Sequence, residues 1–199
     1  MDKSLILQET EKFIKNGFSG ETTGHDYYHI ERVVKMARKI ALEEKADLFL
    51  VEISAWLHDV GDYKLHNGVD KSTELITEFL INQNVDYDLI QQILEIISQV
   101  SFSKGNTPTT LEAKIVQDAD RLDAIGAVGL ARVFAYGGSK QREIWNPENP
   151  DETSVQHFYD KLLKLKDLIN TNSAKKIAEE RHQYLEDFLA RFYQEWNLN

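Results

Sequence analysis

The chain contains no cysteine among its 199 residues. That excludes a disulfide framework and any thiolate ligand, so a metal site here has to be built from imidazole nitrogens and carboxylate oxygens. Proline is scarce, with three residues, and glycine stands at ten, too few for a linker-rich or disordered protein. No apolar run reaches the length of a membrane span. The stretch Met1 to Gly20 carries Asp2, Glu9 and Glu11 among its lysines and lacks the continuous apolar core of a signal peptide. Cytoplasmic residence without membrane association is the expectation. Positive charge is short as well: the formal net charge is -10, and no dense lysine or arginine block offsets it. A nucleic-acid partner is therefore not expected, whereas a local basic pocket for a small anion remains compatible. No segment shows sustained strand alternation, and no repeat period appears.

What is present is helical periodicity. At 42% hydrophobic and 28% charged, the composition suits one globular domain with a sizeable core. Leu5, Phe13 and Ile14 punctuate a first helix ending near Asn16-Gly17, and a polar loop covers Ser19 to Asp26. Ile30, Val33, Val34, Ala37, Ile40 and Ala41 then recur at the spacing of one buried helix face, with His29 at its start. A third helix is expected from an Asp47 cap through Leu57 to the stretch around Gly61. Asp70 and Asp86 are candidate caps for two more, separated by a turn over Asn82 to Val85. After a loop from Ser101 to Pro108, Thr109-x-x-Glu112 has the pattern of a capping box for a sixth helix. An apolar stretch from Val128 to Tyr136 leads to Gly137-Gly138, read as the start of a long loop to Thr153. Two amphipathic helices, Phe158 to Ile169 and Ala174 to Trp196, close the pattern. The fold class is all-α, a compact bundle of roughly eight or nine helices, with the C-terminal helices (about 154–197) packing on the core of a single domain.

One stretch concentrates ligand-type side chains: Trp56-Leu57-His58-Asp59-Val60-Gly61-Asp62. If it is helical throughout, Asp62 falls beneath His58 and Asp59 at i+4 and i+3, and three polar groups share a patch. On its own the trio equally suits an ordinary helix end. His29 on another core helix and Asp118 or Asp120 on a third would complete a set of four ligands from three packed helices, a construction that bundle cores use.

In order and on an all-α background, His29, His58-Asp59 and Asp120 resemble the H…HD…D signature of the HD-domain superfamily of metal-dependent phosphohydrolases. The flanking segments Tyr28-His29-Ile30-Glu31-Arg32-Val33, Leu57 to Asp62 and Gln117 to Asp123 are similar to that family's segments around each ligand, and Ala178-Glu179-Glu180-Arg181-His182 resembles its small stand-alone bacterial members. The likeness covers most of the chain. It implies one divalent metal ion (Mn, Mg, Co, Ni, Fe or Zn) held by His29, His58, Asp59 and Asp120. Periodicity alone favours Asp118, nearer the stripe of Ile115, Ala119 and Leu122, as the inward residue, whereas the signature places its aspartate directly before a basic residue, here Asp120-Arg121.

The implied activity is hydrolysis of a small phosphorylated metabolite, a nucleotide in the first instance, as a nucleotidase or nucleoside triphosphate pyrophosphohydrolase. Asp62 matches an acidic catalytic position of nucleotide-hydrolysing relatives, where glutamate is common, and is the candidate for proton transfer at the attacking water. Arg32, Lys64, Arg121, Lys140 and Arg142 are candidate phosphate partners. His25 and His66 are candidates for substrate or water contact, His157 and His182 read as structural, and Tyr27, Tyr28, Tyr63 and Trp145 are candidates for base stacking. The alternatives are a non-catalytic metal- and nucleotide-binding regulatory module, and an HD-type oxygenase. The oxygenase would need extra histidines between the His-Asp pair and the last aspartate, where only His66 occurs.

Overall fold

The computed structural model describes residues 2–18, 26–62, 68–100 and 107–198. Among the described residues there is no strand, and nine α-helices follow one another: α1 (Lys3–Gly17), α2 (Tyr27–Glu44), α3 (Leu48–Leu57), α4 (Ser72–Asn82), α5 (Tyr87–Ser98), α6 (Leu111–Asp123), α7 (Gly126–Ser139), α8 (Gln156–Asp160) and α9 (Asn172–Asn197). None is long and apolar enough to cross a membrane. The all-α expectation holds. The helices group into two compact units, Met1–Ala119 and Asp120–Asn199, the division falling inside the continuous helix α6.

In the first unit α3 is the centre, packed by α1, α2 and α5. Eight of its ten residues are buried, so it is enclosed on all sides instead of presenting one apolar stripe. Asp47 starts it, its carboxylate accepting the Leu50 N–H at 3.0 Å while its own N–H donates to Glu112 Oε1 at 3.2 Å. α2 buries the predicted face of Ile30, Val33, Val34, Ala37, Ile40 and Ala41. Each large aliphatic chain there contributes about 1.5–3 kcal/mol by leaving water. A buried truncation such as Ile30→Ala would cost roughly 2–5 kcal/mol.

Several local expectations are corrected. α3 stops at Leu57 and does not continue to Gly61: Val60 N–H donates to Leu57 O at 3.0 Å, Asp62 N–H to Asp59 O at 3.2 Å, and Gly61 adopts φ +76°. That left-handed residue ends helical geometry, so Asp62 is not placed by an i+3/i+4 relation. The turn docks on the start of α4, with the Lys71 N–H donating to Gly61 O at 2.9 Å. At α6 the cap is Thr110, whose Oγ1 accepts from Ala113 N–H at 3.1 Å. Thr109 instead donates to Gln99 Oε1, and the carboxylate of Glu112 is drawn to the N-terminus of α3.

The second unit is organised by α9, which packs against α7. Phe134, Phe158 and Phe188, from α7, α8 and α9, meet with ring centroids 5.8–6.0 Å apart. Residues 158–169 do not form one helix: α8 ends at Asp160 and two 3-10 turns follow, Leu162–Lys164 and Lys166–Leu168. Their N–H groups bond three residues back, and Phe158, Leu162, Leu165 and Ile169 are still buried. Gly137-Gly138 belongs to the last turn of α7, so the connecting segment begins later than expected. It is tied down by Ser154 N–H to Glu143 O at 2.9 Å and Val155 N–H to Ile144 O at 3.0 Å.

Candidate metal centre

His29 is carried by the first turn of α2. Asp26 caps that helix by accepting the His29 N–H at 2.7 Å, which fixes where the histidine enters, and its side chain is 1% exposed. His58 is the C-cap of α3, and Asp59 lies in the turn after it; both are buried. The Nδ1 atom of His58 is 2.7 Å from the carbonyl oxygen of Ala55. A carbonyl only accepts, so Nδ1 carries the proton and, in the neutral ring, Nε2 presents a lone pair.

Those Nε2 atoms converge. Asp59 bridges the two histidines, with Oδ1 3.5 Å from His58 Nε2 and Oδ2 3.5 Å from His29 Nε2, and the imidazole rings meet edge-on at 5.6 Å. Asp120, on α6, joins the histidines: one ligand atom from each of His29, His58 and Asp120 lies within 4.8 Å of the others. Asp118 is fully buried on the apolar side of α6 but does not belong to this group. The residue on the main hydrophobic stripe and the residue beside the histidines are thus different aspartates.

Two imidazoles and two carboxylates suit a divalent cation of hard or borderline character. The fit goes beyond the count of donors, because a histidine whose Nδ1–H is held by a carbonyl is oriented and kept in the tautomer that a metal ligand needs. The carboxylate charge of Asp59, buried between two rings, is also the kind of charge that a cation balances.

The other candidates are distributed differently. Asp62 and Arg32 are half-buried, Asp62 three residues beyond the histidine-bridging Asp59 and Arg32 one turn beyond His29. Arg121 donates from Nη1 to the Leu168 carbonyl, so part of its guanidinium holds the backbone of its own unit. Lys140 is exposed and lies 5.7 Å from the ring centroid of Tyr136, and Arg142 is exposed with its N–H on Gly137 O at 2.8 Å. Lys64, His25, His66 and Tyr63 lie outside the described residues.

Among the aromatic candidates, Tyr27 is committed to packing. It stacks on Trp56 at 6.1 Å and donates its hydroxyl to Glu11 at 3.0 Å; burial together with Glu11 lifts the phenol to about 12. Tyr28 is 64% exposed, and Trp145 packs edge-on against Tyr193 at 5.4 Å. Sequence reasoning missed Asp26 and the Ala55 carbonyl. The first was detectable as an aspartate three residues before His29; the second is a backbone atom and leaves no residue-type signal.

Comparison with known proteins agrees with this geometry. Residues 26–125 match the family profile described as HD domain, a span that includes all four converging residues. A Listeria innocua protein, Lin1889, is 39% identical, with a TM-score of 0.85 over 100% of this chain and 99% of its own. A protein of Bacillus thuringiensis described as an HD-superfamily hydrolase is 42% identical, with a TM-score of 0.84 over 99% of this chain and 100% of its own. The Bacillus subtilis protein YpgQ, crystallised in complex with ADP, is 34% identical, with a TM-score of 0.82 over 95% of this chain and 97% of its own. Since the ordered histidines and aspartates, the helical scaffold and near full-length relatives all agree, the chain belongs to the HD-domain family.

Proposed function

We propose that this chain is a metal-dependent phosphohydrolase acting on a small phosphorylated metabolite, with a nucleotide as the leading substrate class. The observation that carries the reading is the meeting of His29, His58 and Asp120 with Asp59 set between the two imidazoles. In this reading those four side chains hold one divalent ion. When bound, such an ion polarises a phosphoryl oxygen and makes water nucleophilic near neutral pH. Asp62, three residues after Asp59, takes the proton from the attacking water. Arg32, with Arg121, Lys64, Lys140 and Arg142 as further candidates, balances charge developing on the phosphoryl oxygens.

The ADP bound by YpgQ supports a nucleotide, and the hydrolase description of the Bacillus thuringiensis relative supports the reaction class. The choice between nucleotidase and pyrophosphohydrolase is a choice of which phosphorus is attacked. A panel of nucleoside mono-, di- and triphosphates and simple phosphate monoesters, assayed with Mn²⁺, Mg²⁺, Co²⁺ and Ni²⁺, tests both. Orthophosphate and pyrophosphate are measured separately. Release that depends on metal and is lost in His58→Ala supports the reading. Tight nucleotide binding with no release from any substrate would replace it with a regulatory binding module.

A further inference from the structure

The last turn of α6 carries Asp120, then Arg121, Leu122 and Asp123, and each of the three residues after Asp120 is tied by an arginine. Arg121 reaches the Leu168 carbonyl with its own guanidinium. Arg132, from α7, meets the Asp123 carboxylate at 2.6 Å and the Asp123 carbonyl at 3.3 Å. Arg181, from α9, donates to the carbonyl of Leu122. The final carbonyls of a helix have no partner within it, and their partial negative charge favours a cation there.

Arg181 reaches that carbonyl by lying across Gly126, the first residue of α7. A Cβ on Gly126 would meet Arg181 Cγ at 2.9 Å, and Cβ and Cδ at 3.2 Å. Gly126 also has φ +76°, so the turn joining α6 to α7 and the path of the arginine stem both depend on this glycine. The guanidinium end is drawn from water, which depresses its proton affinity, while Asp123 acts in the opposite direction. An arginine in such surroundings is a built contact, not a mobile surface base.

We infer that Arg181 is a positioning residue for the metal centre: by fixing the Leu122 carbonyl across Gly126, it sets the Asp120 carboxylate, two residues earlier on the same turn, at the place where it meets the histidines. This rests on the reading of Asp120 as a ligand. Arg132 holds Asp123 chiefly by its carboxylate, at 2.6 Å, with a longer 3.3 Å contact to its carbonyl; Arg181 holds the backbone one residue nearer Asp120, at Leu122. Loss of Arg181 therefore acts on metal affinity before it acts on substrate.

The test is Mn²⁺ binding by the full chain, followed by electron paramagnetic resonance of free Mn²⁺ at a temperature where circular dichroism shows each variant folded. Arg181→Leu should weaken Mn²⁺ binding by about 10-fold, the lower end of what outer partners of metal ligands contribute. At saturating Mn²⁺, kcat and the KM for nucleotide should return towards wild type. Arg181→Lys, which keeps a donor but loses the planar fork, should fall between. Gly126→Ala should displace the arginine stem and weaken Mn²⁺ binding in the same direction, with no further loss in the double variant. If Arg181→Leu does not fold, Gly126→Ala and Arg181→Lys carry the test. Unchanged Mn²⁺ affinity in folded Arg181 and Gly126 variants, alongside a large loss in Asp120→Ala, would overturn the inference. Unchanged affinity in Asp120→Ala would instead overturn the metal-site reading on which it rests.

Discussion

The imidazole of His58 is held by Ala55: Nδ1 lies 2.7 Å from the carbonyl oxygen three residues earlier, at the point where α3 ends. This one contact determines which nitrogen faces Asp59. Long-range ¹H–¹⁵N correlation spectra of the metal-free protein at neutral pH should show His58 as the Nδ1–H tautomer, and metal should shift its Nε2 resonance. An Nε2–H tautomer would remove the orientation argument for the centre.

The proposed function gives Asp59 and Asp62 different roles although they share a turn. Asp59 lies 3.5 Å from each histidine nitrogen, so Asp59→Asn should weaken metal binding by at least about 10-fold while leaving the fold intact. Asp62→Ala should keep metal affinity and lower kcat by about 10²- to 10⁴-fold, the range for losing a general base. Calorimetric metal titration alongside phosphate release separates the two, and equal behaviour of the two variants would contradict the division.

Gly61 is the residue on which that turn depends. A side chain there would overlap the backbone of Lys71 and Ser72 in a conformation that L-residues rarely adopt. Gly61→Ala should destabilise the protein by more than about 1 kcal/mol in urea unfolding. It should also weaken metal binding, because the displaced turn carries His58 and Asp59. A stable variant with normal metal affinity would mean that the turn tolerates another path.

These contacts show what was legible in the chain and what was not. The apolar face of α2, the Asp47 cap and the pairing of His29 with His58-Asp59 follow from residue type and spacing, since burial and ligand chemistry both leave local signals. The end of α3 did not, because Gly61 stops the helix through contact with α4, a neighbour distant in sequence. Periodicity pointed to Asp118 because an apolar stripe reports burial, and Asp118 is indeed the more buried; convergence on the histidines is a separate property, held by Asp120. Between 158 and 169, spacings of three and four residues suit an α-helix and successive 3-10 turns alike. Arg181 was visible within a family-like stretch, but its carbonyl partner exists only after α6, α7 and α9 have folded.

His157 makes acid stability testable away from the metal centre. Burial lowers its pKa below the ordinary histidine value, Lys161 and Arg142 push the same way, and Asp160 opposes them. The unfolded chain binds a proton at about pH 6.5, before the folded chain does, so in the window between the two values the unfolded state carries more protons. Stability from this group is thus complete above about pH 6.5 and is lost as pH falls through the lower folded value. Urea unfolding across that range should show a shallower acid decline in His157→Gln than in the parent chain. Arg142→Ala removes one of the charges that depress the pKa and should narrow the window from its acid side. An identical decline in all three proteins would place the acid sensitivity elsewhere and leave His157 as a half-buried ring without consequence for stability.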